Sequence, residues 1–153
     1  MLLAHQIADW SKEEGRRVGA VIVGPDLEIR ATGFNGLPRG VNDDIPERHS
    51  RETGAKYKWS SHAERNAIYN AARIGTPLKG CRIYVPWFPC VECAKAIIQS
   101  GLVELVAYEP DYTDLKWAED FRIVTEMLAE ASLGVRFIPR LQELRSGLYS
   151  SGG

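Results

Sequence analysis

The stretch CRIYVPWFPCVECAKAIIQSGLVELVAYE, residues 81–109, decides the fold of this 153-residue chain. It predicts a short buried strand that ends at Pro86, a helix from about Cys90 to Ser100 that Gly101 terminates, and a second apolar strand. A strand, a helix and a strand in this order form a right-handed crossover, in which the two strands run parallel in one sheet. The chain is therefore expected to contain a partly parallel sheet.

The segments on both sides extend this unit. Upstream, the apolar spacing and the turn residues predict a helix along residues 2–14, a hairpin over residues 18–34 that turns at Gly24-Pro25-Asp26, and a helix that begins at Ser61 and ends near Gly75. Downstream they predict a helix over residues 114–132 and a strand over residues 135–139. The sequence thus predicts a three-layer α/β domain over residues 1–139, with a mostly five-stranded mixed sheet and helices on both faces, followed from Arg140 by a partly disordered tail.

The composition is that of an ordinary globular protein, with 44% hydrophobic residues, 25% charged residues and a net charge of −1. This balance argues against a protein that binds nucleic-acid backbones, because such proteins usually carry a basic face. No apolar run approaches the ~20 residues of a membrane span, and the N-terminal MLLAHQIADW has too short an apolar core for a signal peptide. A cytoplasmic protein is expected, and its three cysteines are too few for a disulfide scaffold.

Two of those cysteines, Cys90 and Cys93, form a Cys-x-x-Cys pair at the start of the central helix. One helical turn brings two thiolates close enough to share a tetrahedral ion, and the N–H groups of the helix start stabilise their negative charge. His62 opens another predicted helix, and the crossover topology can bring both helix starts to one edge of the sheet. A Cys₂His set with one open position is typical of catalytic zinc.

Glu64 has two interpretations. With Ser61 three residues before it, Glu64 completes a capping box, which commonly begins a helix. It also lies two residues past His62, beside the open position of such a metal site, where it is a candidate proton carrier. Taken singly, the cysteine pair can be a redox pair or two core residues. Together, HAE, the 25 residues 65–89 and the Cys-x-x-Cys pair match the zinc deaminase signature.

On these motifs the chain resembles the cytidine and deoxycytidylate deaminase superfamily over nearly its whole length, residues 18–135. The resemblance implies a cytidine-deaminase-like fold and one zinc ion held by His62, Cys90 and Cys93. It also implies hydrolytic deamination, in which zinc-bound hydroxide attacks C4 of cytosine. Glu64 then protonates the adjacent ring nitrogen and helps ammonia to leave.

Further segments are most similar to the deoxycytidylate deaminases, namely GFNGLPRGVNDD (residues 33–44), KWSSHAERNAI, FPCVECAKAIIQSG and YEPDYTD. In that subfamily the loop asparagine contacts the sugar, and nearby basic or polar groups hold the 5′-phosphate. The resemblance therefore implies Asn35 as a sugar contact, Arg39 as a phosphate contact, and further substrate contacts at Ala63 and, near the base, Tyr112. Arg65 differs from the deoxycytidylate deaminases and is similar instead to the nucleoside deaminases, in which an arginine at this place supports a zinc-bound thiolate.

The basic segment ERHSRETGAKYKW, residues 47–59, is a candidate lid over a phosphate, although charged loop residues are most often only solvated. The expected reaction converts deoxycytidine monophosphate to the uracil nucleotide. The alternatives are a free nucleoside or base as substrate, a polynucleotide, which the near-neutral charge disfavours, and a catalytically silent zinc module. Because the fold usually assembles from several copies, a homo-oligomer is expected, and Trp87 and Phe88 are candidates for either a pocket or an interface.

Overall fold

The computed structural model describes residues 1–13 and 15–140 of the chain. Its elements, in chain order, are α1 (Leu2–Ala8), β1 (Gly19–Val23), β2 (Ile29–Phe34), a 3₁₀-helix (Pro46–His49), α2 (Lys56–Trp59), α3 (Ala63–Ile74), β3 (Arg82–Val85), α4 (Val91–Gln99), β4 (Glu104–Ala107), α5 (Ala118–Glu130) and β5 (Gly134–Phe137). The predicted tail falls almost entirely on residues 141–153, which lie outside the described residues. Within the described part of the chain, no helix combines the length and the apolar character that crossing a membrane requires.

The five strands form one mixed sheet in the order β2-β1-β3-β4-β5. β1 runs antiparallel to both β2 and β3, whereas β3, β4 and β5 are parallel to one another. The central stretch forms the expected crossover, in which α4 connects β3 to β4 and Ile83 pairs with Leu105. The predicted five-stranded mixed α/β fold is confirmed.

Successive side chains of β1 point to opposite faces of the sheet, and both faces are apolar and covered by helices. Ala20 and Ile22 belong to the main core, which lies between the sheet and α3, α4 and α5. Val21 points to the opposite face, where it joins a smaller cluster with Ala4 and Ile7 of α1. The helices α3 and α4 therefore rest on the larger of the two apolar clusters.

α3 lies unusually close to the sheet because small residues meet at the contact. Ala63, Ala67 and Ala71, spaced four residues apart, are fully buried along one stripe of the helix. Opposite them lies Gly33 of β2, where an added Cβ would come within 2.2 Å of the backbone nitrogen of Ala67. A larger residue at either side of this contact would push α3, and the side chains at its start, away from the sheet.

The predicted helix starts differ from the observed ones. α3 begins at Ala63 with His62 as its N-cap, and no side chain caps it, so the predicted capping box is wrong. Ser61 instead pairs with Gly36 in an isolated antiparallel bridge, and its buried hydroxyl has no hydrogen-bond partner. The bridge engages the Ser61 carbonyl oxygen with the Gly36 nitrogen, and the first helical hydrogen bond instead runs from the Asn66 nitrogen to the His62 carbonyl oxygen. The helix therefore begins one residue later than a capping box of Ser61 and Glu64 requires.

The N-terminal helix is shorter than predicted. α1 ends at Ala8, and Trp10, which the apolar spacing placed on the buried stripe, is 63% exposed. Tertiary contacts override the helical pattern here, because the chain turns to place Ser11 and Glu13 in the interior. The Ser11 hydroxyl donates to the carbonyl oxygen of Asn35 at 2.7 Å.

Candidate active site

Two helix starts meet at one edge of the sheet and carry a cluster of metal-ligand side chains. His62 is the N-cap of α3, Cys90 is the N-cap of α4, and Cys93 lies in the first turn of α4. Nδ1 of His62 lies 3.4 Å from Sγ of Cys90 and 3.5 Å from Sγ of Cys93. The structure thus brings together all three predicted zinc ligands, and it identifies Nδ1 as the imidazole nitrogen that faces the two sulfur atoms.

The geometry of this cluster fits a zinc ion. Ordinary Zn–S and Zn–N bond lengths and tetrahedral angles place a sulfur and a nitrogen ligand about 3.6 Å apart. The two observed nitrogen–sulfur distances, 3.4 and 3.5 Å, are close to that value. All three ligand atoms lie within 4.8 Å of one another, so a single ion can contact them together. Two thiolates and one imidazole leave a fourth tetrahedral position for a water molecule or a substrate atom.

The electrostatics of the cluster favour thiolate. A hydrogen bond with Cys93, and next a hydrogen bond with His62, lower the pKa of Cys90 to about 4 although burial opposes the shift. The Cys90 sulfur and burial raise the pKa of Cys93, and the positive charge of Arg65 acts in the opposite direction. The two sulfurs therefore compete for one proton, and a divalent cation that replaces this proton removes the conflict.

Glu64 lies in the first turn of α3 and is almost completely buried, with 3% of its surface exposed. Burial raises the pKa of its carboxyl group because desolvation disfavours the charged form, while the charge of His62 acts in the opposite direction. Its side chain lines the same cavity as His62 and Cys90. A carboxyl group with a raised pKa at this place is suited to accept and return a proton near neutral pH.

A cavity of about 180 Å³ opens above the cluster. His62, Ala63, Glu64 and Cys90 line it, and we call the metal cluster together with Ala63 and Glu64 the floor. The exposed lining cations Arg16, Arg51 and Lys116 are called the mouth. Its walls contain three aromatic side chains and four basic ones, namely Tyr57, Trp87, Trp117, Arg16, Arg51, Lys56 and Lys116. The basic segment contributes Arg51, Lys56 and Tyr57, so this part of the predicted lid does reach the cavity.

Three of these cations, Arg16, Arg51 and Lys116, lie on three different loops. The Arg16 guanidinium lies 3.4 Å from the ring centroid of Trp87, and Lys116 Nζ lies 3.8 Å from that of Tyr57. Burial, and next the charge of Arg51, lower the pKa of Arg16. The charge of Asp114 acts in the opposite direction but does not cancel the effect. The lowered pKa of Arg16 thus indicates a local excess of positive charge, which an anion would relieve.

The sequence analysis missed Arg16 and Lys116. Neither belongs to a motif, and the loops that carry them are 100 residues apart in the chain (16 and 116). The adjacent pairs Arg16-Arg17 and Lys116-Trp117 are the only local hints, and such pairs are common in solvated loops. Only the fold brings these side chains to the same cavity as His62.

Asn35 lines the cavity, but both ends of its side chain are already engaged. Its Oδ1 accepts a hydrogen bond from the Val18 nitrogen at 2.7 Å, and its Nδ2 donates to the carbonyl oxygen of Arg16 at 3.0 Å. The backbone nitrogen of Asn35 also donates to the Val18 carbonyl oxygen. Asn35 therefore holds the segment that carries Arg16 against the cavity wall.

The structure does not bring Arg39 or Tyr112 to the cavity. The guanidinium of Arg39 donates to Oδ1 of Asn70 at 2.8 Å, which turns it toward the exposed side of α3. Tyr112 shares a hydrogen bond of 3.0 Å with the Thr125 hydroxyl on α5. Neither side chain lines the cavity, because each has a partner outside it. A phosphate contact at Arg39 and a base contact at Tyr112 remain predictions from the resemblance.

Comparison with known proteins gives consistent results. Residues 1–109 match the family model described as the cytidine and deoxycytidylate deaminase zinc-binding region. The chain is 38% identical over 147 residues to a deoxycytidylate deaminase of Homo sapiens, covering 94% of this chain and 80% of that protein. It is 42% identical over 117 residues to one of Mus musculus, covering 74% and 65%. A structure of dCMP deaminase from the cyanophage S-TIM5 in complex with dCMP and dUMP is similar in fold, with a TM-score of 0.71, 23% identity and coverage of 90% and 92%.

Proposed function

The chain belongs to the cytidine and deoxycytidylate deaminase family, and on that premise we propose that it is a zinc-dependent aminohydrolase of cytosine deoxynucleotides. The reaction converts deoxycytidine monophosphate and water to deoxyuridine monophosphate and ammonia. One observation carries the proposal: a single cavity has a His/Cys/Cys cluster and a buried carboxyl group at its floor and an excess of cations at its mouth.

At the floor, His62, Cys90 and Cys93 would hold the zinc ion, with Nδ1 of His62 facing the two sulfurs. When bound, zinc would supply a Lewis acid that makes water nucleophilic near neutral pH. Glu64 would accept one proton of the attacking water and pass it to the ring nitrogen next to C4. It would then take the second proton of that water from the new C4 oxygen and deliver it to the amine, so that ammonia leaves, the C4 carbonyl forms and the carboxylate is restored.

Ala63 completes the floor. It is fully buried and is the first residue of α3. The N–H groups of the first helical turn lack partners within the helix, so they can donate to a carbonyl oxygen of the base. The methyl side chain leaves room for a flat ring against the helix start, and we assign Ala63 to base recognition on these grounds.

At the mouth, Arg16, Arg51 and Lys116 take the place that the sequence assigned to Arg39. A phosphate monoester carries nearly two negative charges at neutral pH, so it can accept charge-assisted hydrogen bonds from these cations and relieve the repulsion between Arg16 and Arg51. A free nucleoside or base offers no such charge. Asn35 remains a candidate sugar contact in the wall between the floor and the mouth, with its other role in holding Arg16.

Ammonia release from a substrate panel tests this function. The panel contains deoxycytidine monophosphate, cytidine monophosphate, deoxycytidine, cytosine, guanine and adenosine, with Glu64→Ala as the inactive control. We expect kcat/KM for deoxycytidine monophosphate to exceed that for deoxycytidine by about 100-fold or more, since three cations are available and each charge-assisted contact contributes about 1.5–3 kcal/mol, a factor of about 10 to 100. Equal or faster turnover of deoxycytidine or of a base would contradict the phosphate assignment and leave the zinc chemistry intact.

The proposal further assigns the deaminase domain to residues 1–139, a cytoplasmic place of action, and a homo-oligomeric assembly. Support for assembly comes from large apolar side chains at the surface of the described residues, including Leu27 at 73%, Ile74 at 75% and Leu115 at 105% relative exposure. Sedimentation velocity of the zinc-loaded protein distinguishes a monomer of 17.1 kDa from a larger assembly.

A further inference from the structure

We propose that Glu13 is a positioning residue, which fixes the basic segment over the cavity through its buried carboxylate. The kinetic part of this proposal rests on the proposed function, because the segment supplies Arg51 and Tyr57 to the mouth. The structural part is independent of the substrate and concerns only what holds residues 47–59 in place.

The contacts of Glu13 join the N-terminal loop to the basic segment and to the residues before His62. Its side chain is 1% exposed, and Oε1 accepts a hydrogen bond from the Ser60 hydroxyl at 2.6 Å. Nζ of Lys56 lies 2.7 Å from Oε2, which joins the two charges without a well-aligned hydrogen bond at that oxygen. Nδ1 of His49 lies 4.0 Å from the same oxygen.

The other contacts of the basic segment lie at or near the surface. Arg48 donates to the carbonyl oxygen of Asn42, His49 contacts the carbonyl oxygen of Asp43, and the ammonium group of Lys116 lies over the ring of Tyr57. Among residues 46–59, Lys56 is the one buried residue, so the segment lacks the buried apolar contacts that stabilise α3 and α4. A segment of this kind opens at low free energy unless polar contacts hold it. The Glu13 carboxylate supplies the most deeply buried of these polar contacts.

The charge balance makes the contact sensitive to a change at Glu13. Burial raises the pKa of Glu13, but contacts with Lys56 and Ser60, together with the charges of Lys56 and His49, outweigh burial and leave it below its ordinary value. Glu13 is therefore ionised at neutral pH. Loss of its charge would leave the Lys56 ammonium group buried without an anion, and such a group moves toward water and takes its segment with it.

A neighbouring contact shows how closely the two segments fit. The Arg51 side chain lies against Gly15, two residues after Glu13, and an added Cβ at Gly15 would come within 2.2 Å of Nη2 of Arg51. The loop that carries Glu13 thus also shapes the place of a cation that lines the cavity. A shift of either segment would move Arg51 relative to the mouth.

Hydrogen exchange of zinc-loaded protein tests the structural part. Glu13→Gln keeps the size of the side chain and removes its charge, and we expect exchange of the hydrogen-bonded amides in residues 54–60 to accelerate at least tenfold. Amides of β3 and β4 should be unchanged. Asp43→Asn is the matched control, because it removes the exposed ion pair with Lys12, one residue before Glu13, and should change exchange less than twofold. Unchanged exchange in residues 54–60, or equal acceleration in β3 and β4, would overturn the proposal.

Kinetics test the positioning role. In Glu13→Gln we expect KM for deoxycytidine monophosphate to rise at least tenfold, with kcat within threefold and deoxycytidine turnover within threefold. Glu13→Asp should recover much of the loss, which a merely structural role would not predict. A loosened segment with unchanged KM would overturn the proposal. If the unmodified protein does not prefer deoxycytidine monophosphate to deoxycytidine, the proposed recognition of the phosphate is wrong. Hydrogen exchange alone then tests the role of Glu13.

A second variant covers the case in which Glu13→Gln does not fold. Glu13→Gln combined with Lys56→Met removes both buried charges and leaves no unpaired ion, so it is expected to fold. Faster exchange of residues 54–60 than in the unmodified protein supports the proposal, since this variant also lacks the ionic contact. KM is not compared for this variant, because Lys56 itself lines the cavity. A double variant whose residues 54–60 exchange as slowly as those of the unmodified protein would overturn the proposal.

Discussion

The floor and the mouth of the cavity are built in different ways. The floor side chains occupy the first turns of α3 and α4, which rest on the main core and, at Gly33, directly on the sheet. The mouth side chains come from three loops, of which the basic segment has a single buried residue. Core packing therefore holds the proposed catalytic groups, and polar contacts between loops hold the cations proposed to select the substrate. Changes at the floor should abolish turnover, whereas changes at the mouth should mainly raise KM.

Loss of a zinc ligand should have the largest effect. Cys93 is fully buried at the floor, and Cys93→Ser replaces a thiolate with a poor ligand. We expect zinc content to fall well below one per chain and ammonia release to fall by about 10⁴-fold or more, to the background of the assay. Metal analysis and the ammonia assay measure both.

Cys81→Ala is the control for this prediction. Cys81 is as deeply buried, at 1% exposure, but lies in the core away from the cluster. Its replacement should leave zinc content and turnover within twofold. A zinc-loaded, active Cys93→Ser protein would break the distinction between floor and mouth, since it would show that the cluster does not require all three ligands.

Removal of the proton carrier should have the next largest effect. Glu64→Gln preserves the shape of the side chain but cannot exchange a proton, and we expect kcat to fall by about 10²–10⁴-fold with zinc content unchanged. KM should change less than tenfold, because the cations of the mouth are untouched. Turnover within tenfold of the unmodified protein would assign proton transfer to another group.

A change at the mouth should have an intermediate effect. For Arg51→Gln we expect kcat/KM for deoxycytidine monophosphate to fall by about 10- to 100-fold, mostly through KM, because one charge-assisted contact is lost. Deoxycytidine turnover should be unaffected. Lys58→Gln, in the same segment but outside the cavity lining, is the control and should change either value less than twofold. Equal losses for both substrates in Arg51→Gln would show that Arg51 supports the floor.

The smallest effect is expected at Arg39. Its guanidinium contacts Asn70 on the exposed side of α3, so Arg39→Ala should change kcat/KM for any substrate in the panel less than twofold. Steady-state kinetics of this variant beside Arg51→Gln provide the measurement. A tenfold loss that is confined to the nucleotide would return the phosphate contact to the FNGLPRG loop.

The spacing of apolar and turn residues along the chain was sufficient to predict the helices, the strands and the sheet. The crossover over residues 81–109, the hairpin around Gly24-Pro25-Asp26 and the mixed sheet all follow from periodicity and turn chemistry, which act over a few residues. The zinc ligands could be predicted for a related reason. His62, Cys90 and Cys93 stand at helix starts, and the connection rules of α/β folds bring such starts to one edge.

The same spacing did not predict where α3 begins or where α1 ends, because contacts with distant parts of the chain decide both positions. Ser61 and Glu64 satisfy the spacing of a capping box, but the bridge to Gly36 draws Ser61 away from it. The apolar spacing of the N-terminal helix continues to Trp10, yet the chain turns inward so that Glu13 can meet Lys56. In both cases one long-range contact replaces a local preference of about 1 kcal/mol or less.

The sequence by itself determined the fold and the grouping of His62, Cys90 and Cys93, and it predicted Glu64 as the proton carrier, because each rests on short spacings within regular elements. Only the tertiary structure decided which cations line the cavity and what holds them. Arg16, Arg51 and Lys116 lie on loops without periodicity, and their meeting depends on the whole sheet and on the contacts of Glu13 and Asn35. The basic residue that the motif did point to, Arg39, binds Asn70 outside the cavity, since a turn fixes where a loop bends but not where its longest side chain finds a partner.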